Sequence, residues 1–457
     1  SDWSSDVCSS DLMATRIEDR RNLSLEAAVA DAVARYTAAN PASRARHEAA
    51  SAHLPGGNTR TILHFSPFPL TLTDGEGARL TDADGHVYRD YLGEYTAGLY
   101  GHSHPVIRSA IDEALDHGVT LGGPNRWEGE LARLMCERFP SLDFVRFCNS
   151  GTEANLNALG AARAHTGRDA VLVFDGAYHG GVFVFAGGGS PMNAPFPYVL
   201  APYNDVDATR ATIRAHADRL AAVILEPMMG SGGGIEATPD FLAMLRAETA
   251  AHGIVLVFDE VMTSRLGPGG LQGEVGITPD LTTFGKYLGG GMSFGAFGGR
   301  TEIMEAFDPE HGAGWVHSGT YNNNVLTMAA GVAGLSRVYT PEAARALTAK
   351  GDALRARLNA TFRHHDVPFQ VLGRGSINAV HFHDRPMARP GDAVSDPELQ
   401  TLFHLELLER GIYLARRGMT TLSLPLTDAD DDAFVDAVDD ICTAYAPLVR
   451  DAVRARQ

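Results

Sequence analysis

The sequence predicts an α/β fold, with a large domain on a mostly parallel sheet flanked by helices and a smaller α/β domain following it. From about Leu142 the chain repeats strand, loop and helix. The strands are short apolar runs such as Ile254 to Phe258, the pattern of strands covered on both faces. Residues able to do chemistry stand just past the strands' carboxyl ends, where such sheets bind ligands. A chain of 457 residues has room for two domains.

In chain order, Leu25 to Thr37 is an amphipathic helix stopped near Asn40-Pro41. Leu70 to Thr73 and Ala78 to Asp82 form a hairpin around Asp74-Gly75, and Val87 to Leu92 follows a second turn. EYTAGLYGHSHP, from Glu94, is a glycine-rich loop before a helix starting near Pro105; its His102 and His104 have no third ligand in view, so they do not read as a metal site. The sheet strands are Phe144 to Cys148, Val171 to Phe174, Val199-Leu200, Ala222 to Leu225 and Ile254 to Phe258, with helices from the NSGTEAN turn through Ala164 and from Pro239 to His252. Beyond Asn322 the chain is helical to about Arg363, strand-like from Phe369 to Phe382, and helical from Leu399 to Arg410. Strands at Ile412 to Leu414 and Thr420 to Leu424 precede a last helix, Asp428 to Tyr445. The first twelve residues read as foreign, an artefact with Met13 the true start, or else as a disordered native tail. The predicted division is a tail (1–12), an N-terminal segment packing with the small domain (13–80), a large domain (81–345) and a small domain (346–457).

A formal net charge of −18 argues against a nucleic-acid partner, and no apolar run is long enough to span a membrane. Cys8, Cys136, Cys148 and Cys442 are scattered, as expected of reduced thiols in a cytoplasmic protein.

Two of the 38 basic residues are lysines, Lys286 and Lys350. A lysine kept among glycines at a strand end can lose its proton when desolvated and form a Schiff base with an aldehyde, which arginine cannot. Asp259 ends a buried strand and could hold a pyridinium nitrogen protonated, making the ring an electron sink. The pair suggests pyridoxal phosphate; the plain alternative is a rim lysine and an ordinary strand-end Asp-Glu. Ser150, Gly151 and Thr152 open a helix whose free N–H groups suit a phosphate, or they simply cap it. Tyr178, beside His179, could stack on a flat ring or pack in the core. Thr320 sits in a second hydroxyl-glycine turn or in a plain polar loop. Arg60 and Arg417 flank glycine turns and could fork onto carboxylates, or be solvated surface charges. No GxGxxG follows a strand, which disfavours a nicotinamide enzyme.

Together LPGGNTR, DADGHVYRDY, GHSHP, NSGTEAN, TGRD, DGAYHG, YND, EPMMG, FDEVMTSR, FGKYLGGG, FGAFGGR and HSGTYNNN resemble the class III aminotransferases of pyridoxal phosphate (PLP) fold type I, on the branch that includes glutamate-1-semialdehyde aminomutase. The resemblance covers nearly all of Leu54 to Leu448. EYTAGLYGHS, FDEVMTSRLGPGGL, GTYNNNVLTMAAG and LSLPLTDAD look most like the aromatic β-amino acid (β-phenylalanine) aminotransferases.

The resemblance implies a seven-stranded large-domain sheet and a homodimer with a shared site. Lys286 is then the Schiff-base lysine and proton carrier, and Asp259 the partner of the pyridine nitrogen. Ser150, Gly151 and Thr152 hold the phosphate with Thr320 of the neighbouring subunit. Tyr178 and Val261 cover the two ring faces, with His179, Asn204 and Glu226 near the cofactor. Arg60 and Arg417 bind carboxylates, with Ile62 and Phe65 shaping the side-chain pocket. The expected reaction is ping-pong transamination from a β-amino acid donor to a keto acid such as 2-oxoglutarate. The alternatives are an aminomutase-type isomerase, a racemase or decarboxylase, and a non-catalytic binding protein. Two departures stand out. Asn322-Asn323-Asn324-Val325 replaces the aminomutases' Gly-Asn-Pro pattern, and Ser231 occupies the place of the gating glutamate of ornithine-type relatives.

Overall fold

The computed structural model describes residues 24–456. The tail expected at residues 1–12, the start at Met13 and Cys8 lie outside the described residues. The central sheet has seven strands: β1 (Phe144–Cys148), β2 (Ala170–Phe174), β3 (Tyr198–Ala201), β4 (Leu220–Leu225), β5 (Val255–Asp259), β6 (Leu281–Gly285) and β7 (Gly295–Gly299). Their order is β1-β7-β6-β5-β4-β2-β3. Strand β7 runs antiparallel to both its neighbours, and the other paired strands are parallel. Every residue of β2, β4, β5, β6 and β7 is buried, which is why these strands read as unbroken apolar or small-residue runs.

Helix α1 (Gly151–Thr166) starts where Ser150 Oγ accepts the Glu153 N–H and ends at Gly167, whose φ of 68° closes the last turn. Helix α2 (Pro239–His252) is capped by Thr238, begins on proline and ends at left-handed Gly253. Strand β7, glycine-rich and read only as part of a motif, threads between β1 and β6. A Cβ on Gly295 would overlap the Ser150 carbonyl and lie 2.8 Å from Cys148 Sγ, so glycine there lets the strand pass against the turn that opens α1.

The hairpin expected around Asp74-Gly75 turns later. Asp74 pairs with Thr81, Gly75 with Leu80 and Glu76 with Arg79, and left-handed Gly77 makes the turn. Gly75 is required for a different reason: a Cβ there would come within 2.7 Å of the His102 ring. That ring pairs with Asp90, and His104 caps the next helix through Val106 N–H. The segment Phe369 to Phe382 is a hairpin, Gln370–Arg374 with Ile377–His381, joined by Met419–Thr421. The last helix runs on past Pro447 to Ala455.

Residues 72–76, 79–82 and 87–90 form a sheet completed by Ile412–Tyr413 from the far end of the chain. On this pairing we propose an N-terminal segment, a large domain and a small domain, with the first running through Asp90 rather than ending at residue 80.

Adding one methyl at Gly295 tests the tight crossing. Gly295→Ala should lower unfolding free energy by about 1–3 kcal/mol, the usual range for overpacking, read from the urea midpoint at unchanged slope.

Candidate active site

Lys286 follows β6 directly and holds a left-handed φ of 61°, an uncommon conformation for a residue with a side chain. The turn behind it is anchored by Tyr287, whose hydroxyl donates to the Ser264 carbonyl at 3.1 Å. Burial, with Arg60 and Arg417 adding to it, pushes the Lys286 ammonium down to about 8; Asp259 and Glu226 pull the other way.

Asp259 ends β5, 4% exposed. Its Oδ2 accepts from Asn155 Nδ2 and faces His179 Nδ1, both at 2.8 Å, and its Oδ1 accepts the Val261 N–H at 3.0 Å. Asn155 is itself fixed, donating also to the His179 carbonyl and accepting from Thr283 Oγ1 at 2.7 Å. Nearby, Glu226 takes N–H donors from Tyr178 and Gly230, and burial pushes its carboxyl up to about 7.

At the start of α1, Ser150 caps the helix, while the N–H groups of Gly151 and Thr152 meet no acceptor among the described residues. Val261 fills the space beside Gly151: a Cβ there would lie 2.8 Å from its methyl. Thr152 Oγ1 accepts from Gly181 N–H. Tyr178 is 44% exposed, and the charges of Arg60, Asp259, Glu226 and Arg417 all reach its hydroxyl.

Both arginines lie near the ring of Tyr95. Arg60 is 5.6 Å and Arg417 6.0 Å from the ring centroid, and both bear on Lys286. Arg60 pairs with Glu94. Arg417 donates from Nη1 to the Ser231 carbonyl at 3.1 Å and from Nη2 to Ser231 Oγ at 3.4 Å, with Met419 Sδ at 3.5 Å. Among the described residues no carboxylate pairs with it. The position expected to lack a gate therefore holds Arg417 through neutral acceptors. Tyr95 stands in a run of left-handed residues, Gly93 to Thr96, and its hydroxyl donates to the Ile62 carbonyl at 3.2 Å.

A family model for aminotransferase class-III matches residues 64–442. The chain belongs to this family. Among its relatives, this class-III aminotransferase is 52% identical over 426 residues to a β-phenylalanine transaminase of Variovorax paradoxus, covering 93% of this chain and 98% of that one. The crystal structure of a β-phenylalanine aminotransferase from the same organism superposes with a TM-score of 0.91, covering 93% and 99%. A glutamate-1-semialdehyde 2,1-aminomutase of Dechloromonas aromatica is 37% identical, covering 86% and 96%. A transaminase solved with PLP bound is 32% identical with a TM-score of 0.81, covering 90% and 99%.

The fold is PLP fold type I, the protein is a transaminase, and pyridoxal phosphate is its cofactor. The residues fit that group. Asp259 uses three of a carboxylate's roughly four acceptor sites, leaving one for a cationic ring N–H. The free N–H groups opening α1 suit the phosphate, and Lys286 suits the aldehyde carbon.

The other expected residues make contacts of their own. Asn204, also left-handed, spends its side chain bracing backbone: it donates to the Glu236 and Ala388 carbonyls and accepts from Thr238 N–H. Phe65 is buried against Tyr36 and His404, and Ile62 is 46% exposed at the rim. Thr320 lies in an exposed turn of this aminotransferase. Sequence reasoning passed over Asn155, a polar residue on an alanine-rich buried helix face. It also passed over Tyr95, Glu94 and Arg265. The last, fully buried, donates to Ser376 Oγ and to the Thr96 and Leu422 carbonyls, with its own carbonyl taking Tyr339 OH.

With two lysines in the chain, Lys286 can be titrated alone. In apoprotein its acylation by a small amine reagent, followed by peptide mass, should rise about tenfold per pH unit and level off above about pH 8. A midpoint near the ordinary lysine value would refute the desolvated amine.

Proposed function

We propose that this aminotransferase moves the amino group of an aromatic β-amino acid, such as β-phenylalanine, to a keto acid such as 2-oxoglutarate in a ping-pong cycle. One observation carries the reading: the charges of two arginines, both near the Tyr95 ring, reach one lysine, and among the described residues Arg417 has only neutral acceptors. The 52% identity to a β-phenylalanine transaminase supports the donor class.

A β-amino acid places its carboxylate one carbon farther from the amine than an α-amino acid does, so an enzyme taking both kinds of substrate needs two carboxylate positions. Arg417 would hold the α-carboxylate of the acceptor. Arg60 would take its distal carboxylate, and in turn the carboxylate of the donor, each as a forked charge-assisted pair. Ile62 and Phe65 would shape the side-chain pocket.

Lys286 Nζ, unprotonated above about pH 8, would take the proton from the carbon bearing nitrogen and later return one. Bound pyridoxal phosphate supplies the sink for that carbon's electrons. Asp259, oriented by Asn155 and His179, would hold the ring N–H. Ser150, Gly151 and Thr152 would hold the phosphate with Thr320 of the partner subunit, Tyr178 and Val261 would cover the ring, and Glu226 would stand nearby. A homodimer belongs to this proposal. It is supported by Val316 and Tyr321, 90% and 62% exposed, which flank the Ser318–Thr320 turn. A cytoplasmic location belongs to it too, supported by the free thiols of Cys136, Cys148 and Cys442.

β-Phenylalanine alone should convert the absorbance of bound pyridoxal phosphate to that of the pyridoxamine form, and 2-oxoglutarate should restore it. Turnover of glutamate-1-semialdehyde without any acceptor would instead mark an aminomutase. Arg417→Ala should weaken the 2-oxoglutarate half-reaction by roughly 30-fold or more, the worth of a charged hydrogen-bonded pair. Full activity in that variant would sink the assignment.

A further inference from the structure

A cavity of about 170 Å³ lies beside the arginines, its walls including Ile62, Phe65, Tyr95, His404, Tyr413 and Arg417. It shares Arg417 and Tyr95 with the environment of Lys286, so it adjoins the site rather than standing apart from it. Thr61, His64, Arg416 and Arg417 line it as well, and His404 is its buried imidazole.

His404 sits on helix α3 (Pro397–Glu409), 2% exposed, with its ring edge-on to Phe65 at 4.7 Å between centroids. Among the described residues neither ring nitrogen has a hydrogen-bond partner, although both are buried. Buried polar atoms are ordinarily paired, because leaving them unpaired costs their desolvation. Burial, with Arg416 adding, pushes the imidazole down to about 3, so it is neutral at working pH. A neutral imidazole offers one N–H donor and one lone pair. It cannot balance an anion, and in the transamination reading Arg60 and Arg417 take the carboxylates. What it matches is a neutral group that both donates and accepts.

We propose that this cavity is a subsite for a substrate side chain bearing a hydroxyl, with His404 as its specificity-determining partner. The inference rests on the transamination reading above. Phe65, Ile62 and Tyr413 would clasp an aromatic ring while one ring nitrogen of His404 meets its hydroxyl. The chemical class is a hydroxyaryl β-amino acid, or the corresponding β-keto acid in reverse.

The test compares kcat/KM for 3-amino-3-(4-hydroxyphenyl)propanoate and for β-phenylalanine in the holoenzyme, with 2-oxoglutarate as acceptor. The wild type should favour the hydroxylated donor by about tenfold, the scale of a hydrogen bond to a buried group. His404→Leu should erase that ratio, and His404→Asn, which keeps a donor and an acceptor, should keep part of it. A merely structural histidine would change both donors alike. If both donors react equally in the wild type, or if His404→Leu keeps the preference, the subsite is wrong while transamination stands. If neither donor reacts, the transamination reading falls and the subsite with it. The wild-type ratio decides the matter even should the leucine variant fail to fold.

Discussion

Two guanidinium charges reach the Lys286 amine, and Asp259 opposes them from the end of the neighbouring strand. Its carboxylate is not free to swing: Asn155 and His179 occupy one oxygen and the Val261 N–H engages the other. Asn155 in turn is held by Thr283 on β6, two residues before Gly285. The strand that carries the acid and the strand that carries the base are therefore joined by one amide as well as by their ladder. Loosening that amide would move both groups at once.

The seven-stranded sheet was legible because its chemistry follows its strands. Apolar runs ending in Asp259, Glu226 and the NSGT turn declared a parallel sheet and its carboxyl edge together. Lys286 stood out by composition, in a chain that otherwise uses arginine. Strand β7 was harder to see. Its glycines meet the requirement of passing against backbone and carry little of the β-branched content by which strands are recognised. The hairpin turn was misplaced for a related reason. Gly75 and Gly77 look alike in sequence, but one makes room for a histidine ring and the other turns the chain.

Side-chain destinations were less legible than elements. Asn204 has the composition of a cofactor ligand and the geometry of a brace. Tyr95 belongs to a motif dominated by its glycines, yet its ring lies near both arginines. Ser231, read as the loss of a gate, proves to be the residue that seats Arg417 through a carbonyl and a hydroxyl. Such facts depend on contacts between segments far apart in the chain, which no local pattern encodes.

Among the described residues Arg265 is a buried cation satisfied without acids. It ties the left-handed run before Ala97, the strand ending at Thr421 and the hairpin at Ser376 through carbonyl and hydroxyl oxygens. None of these acceptors titrates in the ordinary pH range, and a guanidinium keeps its proton. The pocket's carboxylates and lysine can change charge during turnover, or with the acidity of the medium, while this clasp between the two ends of the chain keeps the same grip.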